Sequence, residues 1–187
     1  TLVRATDTWT TGQFVSTDAL GMFLVLASDP SSDRIAAIFG EGLKDDDVGV
    51  SNWTGTQWYD TAELSLAGHS QSRAMEVGWF GGTGLAFAVY RDKALKGSFQ
   101  WARLNPGGWK RQPEVALPGV GKMVQAETRI VPGTDRVMML MLDENGSLWA
   151  TECDGTTWVV KNGGEPLATG LDPANPGRSF DLDLRAL

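Results

Sequence analysis

Tryptophan recurs along this chain at a nearly fixed interval, and that interval constrains the fold more than any other property of the sequence. Trp9, Trp58, Trp109 and Trp158 each close a short polar turn: Asp7-Thr8-Trp9, Gly55-Thr56-Gln57-Trp58, Pro106-Gly107-Gly108-Trp109 and Asp154-Gly155-Thr156-Thr157-Trp158. They lie 49, 51 and 49 residues apart. A second series, Trp53, Trp101 and Trp149, is spaced by 48 and 48. Two aromatic series in step mark internal repeats, and the repeat has to be identified before any single element is assigned.

The unit is clearest in 122–168. Met123–Ile130, Arg136–Leu142 and Ser147–Cys153 are short strand-like runs bounded by Gly, Pro, Asn or Asp, and a polar outer strand is expected after Trp158. Four antiparallel strands in about 50 residues make a β-propeller blade. Complete blades are predicted at about 21–67, 70–118 and 122–168. Residues 1–20 supply the last two strands of a further blade, with an outer strand near Gln13–Ser16. Residues 177–187 supply a first strand at Phe180–Leu187. The prediction is one all-β domain over 1–187: a propeller of about four blades, the last split between the termini, or part of a larger propeller. Leu24–Ala27, Ile35–Phe39, Leu85–Val89 and Val137–Leu142 are the expected inner strands. The unbroken apolar run Gly21–Ala27 predicts a strand buried on both faces.

Composition fits this reading. The chain of 187 residues holds 23 glycines and 8 tryptophans, which suits turn-rich β structure. A net charge of −7 argues against nucleic acid or an anionic membrane surface as partner. No apolar run approaches the roughly 18 residues of a membrane-spanning helix. The single cysteine, Cys153, excludes an internal disulfide and a cysteine metal cluster. It reads as a small apolar residue, with pairing to another chain as the alternative. The chain starts at Thr1 and reads as a processed product.

No catalytic residue is assigned. His69, the only histidine, sits in the polar loop Gly68–Gln71, and no nucleophile elbow accompanies it. Asp181, Asp183 and Glu76 are the carboxylates that a propeller centre could gather as a glycosidase pair, but alternating acids on a strand ordinarily face solvent. Asp45-Asp46-Asp47 lacks the alternating spacing of a calcium loop and reads as a hairpin tip. Neither a metal nor a cofactor is predicted. Trp9, Trp58, Trp109 and Trp158 are expected to seal one blade against the next. Trp53, Trp101 and Trp149 are the candidate ligand-binding residues, on which a sugar ring could stack. Asn52-Trp53-Thr54 and Asn145-Gly146-Ser147 are glycosylation sequons.

These motifs carry a resemblance. Phe180-Asp181-Leu182, Met75-Glu76-Val77 and the turn Asp154–Trp158 resemble the Phe-Asp-Val first strands and Trp-Asp-Gly-x-x-Trp-like turns of bacterial secreted β-propeller-repeat proteins. The likeness covers nearly the whole chain. More distantly, the glycine–tryptophan turn and the blade length are similar to those of fucose-binding propeller lectins and to sialidase Asp-boxes. Asp-boxes separate aspartate and glycine by one residue, whereas Asp154 and Gly155 are adjacent, so that activity is not carried over. The resemblance implies a secreted or cell-surface, non-enzymatic structural or adhesive module. Its partners would be other protein chains, including copies of itself assembling through the terminal strands into a filament. The alternative is a carbohydrate-binding propeller lectin with glycan partners.

Overall fold

Short apolar runs separated by glycine turns bury their faces most simply by pairing with their immediate neighbours, and the chain does this three times. The structure, a computed structural model, describes residues 2–3, 8–9, 21–41, 47–65 and 74–174. Expectations for Gln13–Ser16, Asp45, Asp46, His69 and Phe180–Leu187, including Asp181 and Asp183, lie outside the described residues. Strands β1 (Leu2–Val3) and β2 (Thr8–Trp9) form an antiparallel pair with Leu2 opposite Trp9.

The first four-stranded sheet is β3 (Gly21–Ser28), β4 (Ile35–Glu41), β5 (Asp47–Trp53) and β6 (Trp58–Ser65). The second is β7 (Met75–Trp79), β8 (Ala86–Tyr90), β9 (Gln100–Asn105) and β10 (Gly108–Arg111). The third is β11 (Met123–Ile130), β12 (Val137–Asp143), β13 (Leu148–Cys153) and β14 (Trp158–Val160). Each is an antiparallel meander in sequence order. Among the described residues the only helical element is a short 3-10 turn, Asn162–Gly164. No helix there is long and apolar enough to cross a membrane.

The hairpins between third and fourth strands share one device. Gly55, Gly108 and Gly155 have φ of +97°, +92° and +95°, a region that disfavours any side chain. The chain reverses there and the closing tryptophan is the first or second residue of the outer strand. Trp58 lies opposite Trp53, Trp109 opposite Leu104 and Trp158 opposite Cys153. The outer strand thus contains the tryptophan rather than following it. The second tryptophan series is not structurally equivalent. Trp53 pairs with Ile35 at the start of a second strand, whereas Trp101 pairs with Val89 and Trp149 with Met141 nearer the ends of theirs. Its 48-residue spacing runs out of register with the structural repeat, which sets Ala36 opposite Asn52 and Phe87 opposite Arg103, 51 residues on.

The sheets stack face to face through two apolar cores. Ala36, Ile38, Val48 and Val50 of the first sheet meet Val77, Trp79, Ala88 and Tyr90 of the second. The other face of the second sheet offers Phe87, Val89, Phe99 and Trp101 to Met139, Met141, Trp149 and Trp158 of the third. First strands lie innermost: β7 touches both β3 and β11. Strands β4 and β8 are buried on both faces over Ala36–Gly40 and Ala86–Tyr90. Strand β3 is not, contrary to its unbroken apolar run. Phe23, Val25 and Ala27 pack against the core, while Leu24 and Leu26 are 56% and 52% exposed. The cause is position: β3 is a first strand that packs across the sheets against β7, on one side only.

Candidate functional site

The polar chemistry of this molecule gathers where one sheet meets the next. Asp29 starts the turn after β3 and is 4% exposed. Its Oδ1 accepts from the Ser31 amide and hydroxyl at 2.9 and 2.7 Å. Its Oδ2 accepts from Ser32 Oγ at 2.7 Å and from Arg34 Nη2 at 2.6 Å. Burial pushes this carboxyl up, but the hydrogen bonds from Ser31, Ser32 and Arg34 outweigh it and hold its pKa at about 2. Arg34, so anchored, crosses to the second sheet. It donates to the Gly84 carbonyl at 3.1 Å and lies over the Trp79 ring at 4.7 Å from the centroid. Trp79 in turn donates from Nε1 to the Ala27 carbonyl at 2.9 Å. Gly84 has φ +69°, and a Cβ there would come 2.6 Å from Arg34 Nη2, so only glycine lets the guanidinium approach.

Beside Arg34 a groove of about 350 Å³ opens between the first and second sheets. Asn52, Leu85, Leu104, Asn105 and Pro106 complete its walls. Asn52 is 5% exposed, and its Oδ1 is buried without a hydrogen-bond partner. One repeat later the equivalent position holds Arg103. That side chain donates from Nε to Asn105 Oδ1 at 3.1 Å and from Nη1 to the Gly155 carbonyl of the third sheet at 3.0 Å. Arginine therefore bridges the second sheet to the third. Asparagine is too short to make the same bridge from the first sheet to the second, and the groove stays open.

The tryptophans lie elsewhere. Trp101 and Trp149 are 4% and 6% exposed and belong to the core between the second and third sheets, so neither presents a ring face to solvent. Trp149 is further tied by Nε1 to Asp143 Oδ2 at 2.9 Å. Trp53 is half-buried and meets Trp58 edge-on, with ring centroids 5.7 Å apart. It adjoins Asn52 on β5, so alternation sends it to the opposite face of the sheet, away from the groove. Trp158 packs edge-on against Phe99 and Trp101 of the second sheet, and Trp109 packs against the core shared by the first two. The side chain of Trp9 lies outside the described residues. Structure thus brings none of the three candidate tryptophans to the groove, and it supplies Arg34, which no sequence motif marked, and Asn52, which the sequence marked only as a sequon.

Other sequence features have plain surroundings. Asn52, in a sequon, is buried, whereas Asn145 is exposed in a turn. Cys153 is buried in the core, and burial pushes its thiol up to about 11. Glu76 lines the central cavity and accepts from Thr128 Oγ1 at 3.3 Å. Among the described residues no group of three or more His, Cys, Asp or Glu could hold a metal ion.

The sequence matches no protein-family model and no curated protein. Its likeness is structural. The chain has a β-propeller-like fold. A variant of Aleuria aurantia lectin, solved with α-methyl-L-fucoside, superposes with a TM-score of 0.56 at 14% identity, covering 88% of this chain and 53% of the lectin. SapL1 lectin in complex with α-methyl fucoside gives 0.49 at 15% identity, covering 74% of this chain and 45% of that one. This chain therefore spans about half the length of those lectins. Both solved proteins are lectins rather than enzymes.

Proposed function

We propose that this protein is a non-enzymatic carbohydrate-binding propeller, with the groove between its first two blades as the sugar site. One observation carries the reading: the groove walled by Arg34, Asn52 and Asn105 stays open between the first two sheets, where the equivalent Arg103 bridges the next two one repeat later. The walls suit a sugar, with a guanidinium and two carboxamides for hydroxyls and Leu85, Leu104 and Pro106 for the apolar face of a ring. The fold it shares with a lectin that binds α-methyl-L-fucoside makes methyl glycosides the first ligands to try.

Calorimetric titration with a panel of methyl glycosides, α-methyl-L-fucoside included, is the test. At least one is expected to bind saturably. Asn52→Arg, which copies the arginine of the next repeat, is expected to fill the groove and weaken binding at least about tenfold, or 1.4 kcal/mol, without loss of folded stability. Unchanged affinity in that variant overturns the assignment of the site, and no saturable glycoside overturns the function. An adhesive or assembly role is the second reading. The outer strands favour it, with Tyr59 and Val159 exposed by 56% and 44% on sheet edges open to another chain.

A further inference from the structure

We infer that Asn162 is a site of self-modification, where the Gly163 backbone amide attacks the side-chain amide and turns asparagine into aspartate and isoaspartate. Three dipeptides in the chain are open to this chemistry by sequence: Asn145-Gly146, Asp154-Gly155 and Asn162-Gly163. Glycine has no Cβ to shield its amide nitrogen from the preceding side chain. The fold restrains the first two and leaves the third free.

Gly146 is buried, its amide donates to the Asp143 carbonyl at 3.0 Å, and its carbonyl accepts from the Leu171 amide at 3.0 Å. The Asn145 amide is tied to Asp143 Oδ1 at 3.0 Å as well. The Gly155 amide lies on Cys153 Sγ at 3.3 Å. Asp154 Oδ1 accepts from the Thr156 amide and hydroxyl at 2.9 and 2.7 Å and from the Thr157 amide at 2.9 Å. Those bonds keep the carboxylate ionised and therefore a poor electrophile. By contrast, Asn162, Gly163 and Gly164 are exposed, and among the described residues nothing accepts from the Gly163 amide. Asn162 is also the one non-glycine among the described residues with a positive φ, +57°, so turning out of that conformation relieves strain. Only long contacts hold its Nδ2, 3.4 Å to the Glu165 carbonyl and 3.5 Å to that of Pro166.

In the reaction, Gly163 N gives its proton to hydroxide and bonds to Asn162 Cγ. The Cγ–Nδ2 bond breaks, and the nitrogen leaves as ammonia with a proton from water. Water then opens the cyclic imide at either carbonyl, giving aspartate or isoaspartate. Each conversion adds one negative charge. Isoaspartate also lengthens the main chain by a methylene just before the segment in which Leu167 and Ala168 hydrogen-bond to Leu148.

The test ages the whole folded chain in mildly alkaline buffer and follows aspartate and isoaspartate at 145, 154 and 162 by peptide mapping and mass spectrometry. Asn162 is expected to convert at least about tenfold faster than Asn145, because fewer restraints add to its barrier. In guanidinium chloride, where the fold is gone, the two asparagines are expected to convert at similar rates. Asn162→Gln, which would have to close a less favoured six-membered ring, is expected to abolish the acidic shift seen on isoelectric focusing. Equal rates at 145 and 162 in the folded chain would overturn the inference. So would the same ratio of rates in guanidinium chloride, aspartate without isoaspartate at 162, or an Asn162 that stays intact while the unfolded chain converts.

Discussion

Asp29 does more for this fold than its place in a surface turn implies. Its two oxygens order the Ser31–Ser32 turn and orient the arginine that reaches the next sheet. Those bonds require the ionised form, so the folded pKa of about 2 lies below the ordinary 3.8. A depressed carboxylate contributes stability that is present above pH 3.8 and lost as the pH falls through about 2. A shift of this size corresponds to about 2 kcal/mol. Asp29→Asn is therefore expected to lower stability at neutral pH by about that amount and to flatten the fall in urea midpoint between pH 4 and 2. Asp154, whose hydrogen bonds from Thr156 and Thr157 also hold it at about 2, retains part of that acid limb. A midpoint that falls as steeply in the variant as in the parent would contradict this account. Asn52 shows the opposite limit of residue-level reading. Nothing in the letters Asn52-Trp53-Thr54 tells a sequon from an unpartnered wall of a groove. The distinction depends on what the neighbouring sheet places opposite, and on the contrast with Arg103 one repeat away.

Elements were far more legible than side-chain roles, for a physical reason. A β-meander is specified locally: glycine forces each third hairpin, and the closing tryptophan follows within three residues. The predicted blades at about 21–67, 70–118 and 122–168 accordingly enclose the three observed sheets. Trp53, Trp101 and Trp149 show that equal spacing along the chain does not ensure equal register. Two of them point into the inter-sheet core, and the third lies at a different rung of its sheet. The run Gly21–Ala27 misled because hydrophobicity does not reveal whether both faces of a strand find a neighbour. Register also sets cross-strand partners, as where the Phe87 ring covers Gly78 directly opposite it, leaving 2.8 Å for any added Cβ. The closing tryptophans make this quantitative. Trp158 is 6% exposed and packs on Phe87, Phe99 and Trp101, so Trp158→Ala should cost about 3–5 kcal/mol in urea unfolding. Trp53→Ala, on a half-buried ring outside both cores, should cost much less. A Trp158→Ala loss within the roughly 0.5 kcal/mol of an ordinary surface substitution would mean that Trp158 seals nothing.

At the scale of the whole molecule, three sheets share two cores in which the middle sheet is covered on both faces. The first strands β3 and β11 flank β7, and each then needs a neighbour on its far side if a ring is to close. On β3 that far side shows Leu24 and Leu26, each more than half exposed. Leaving two leucines half in water forgoes roughly 2 kcal/mol of burial. Residues 180–187, FDLDLRAL, repeat the apolar–acidic alternation of Met75-Glu76-Val77, a first strand in the second sheet. They lie outside the described residues, and the sequence pattern alone makes them the candidate for that neighbour. Deleting Asp181–Leu187 tests the idea through two readouts. If the segment covers β3 within its own chain, the melting temperature should fall, at roughly 2–4 °C for each kcal/mol, while the particle mass stays constant. If it instead enters a second chain, the mass should drop as well, and the dependence of stability on protein concentration should disappear. A truncated chain with the parent's melting temperature and mass would show that this strand completes no blade.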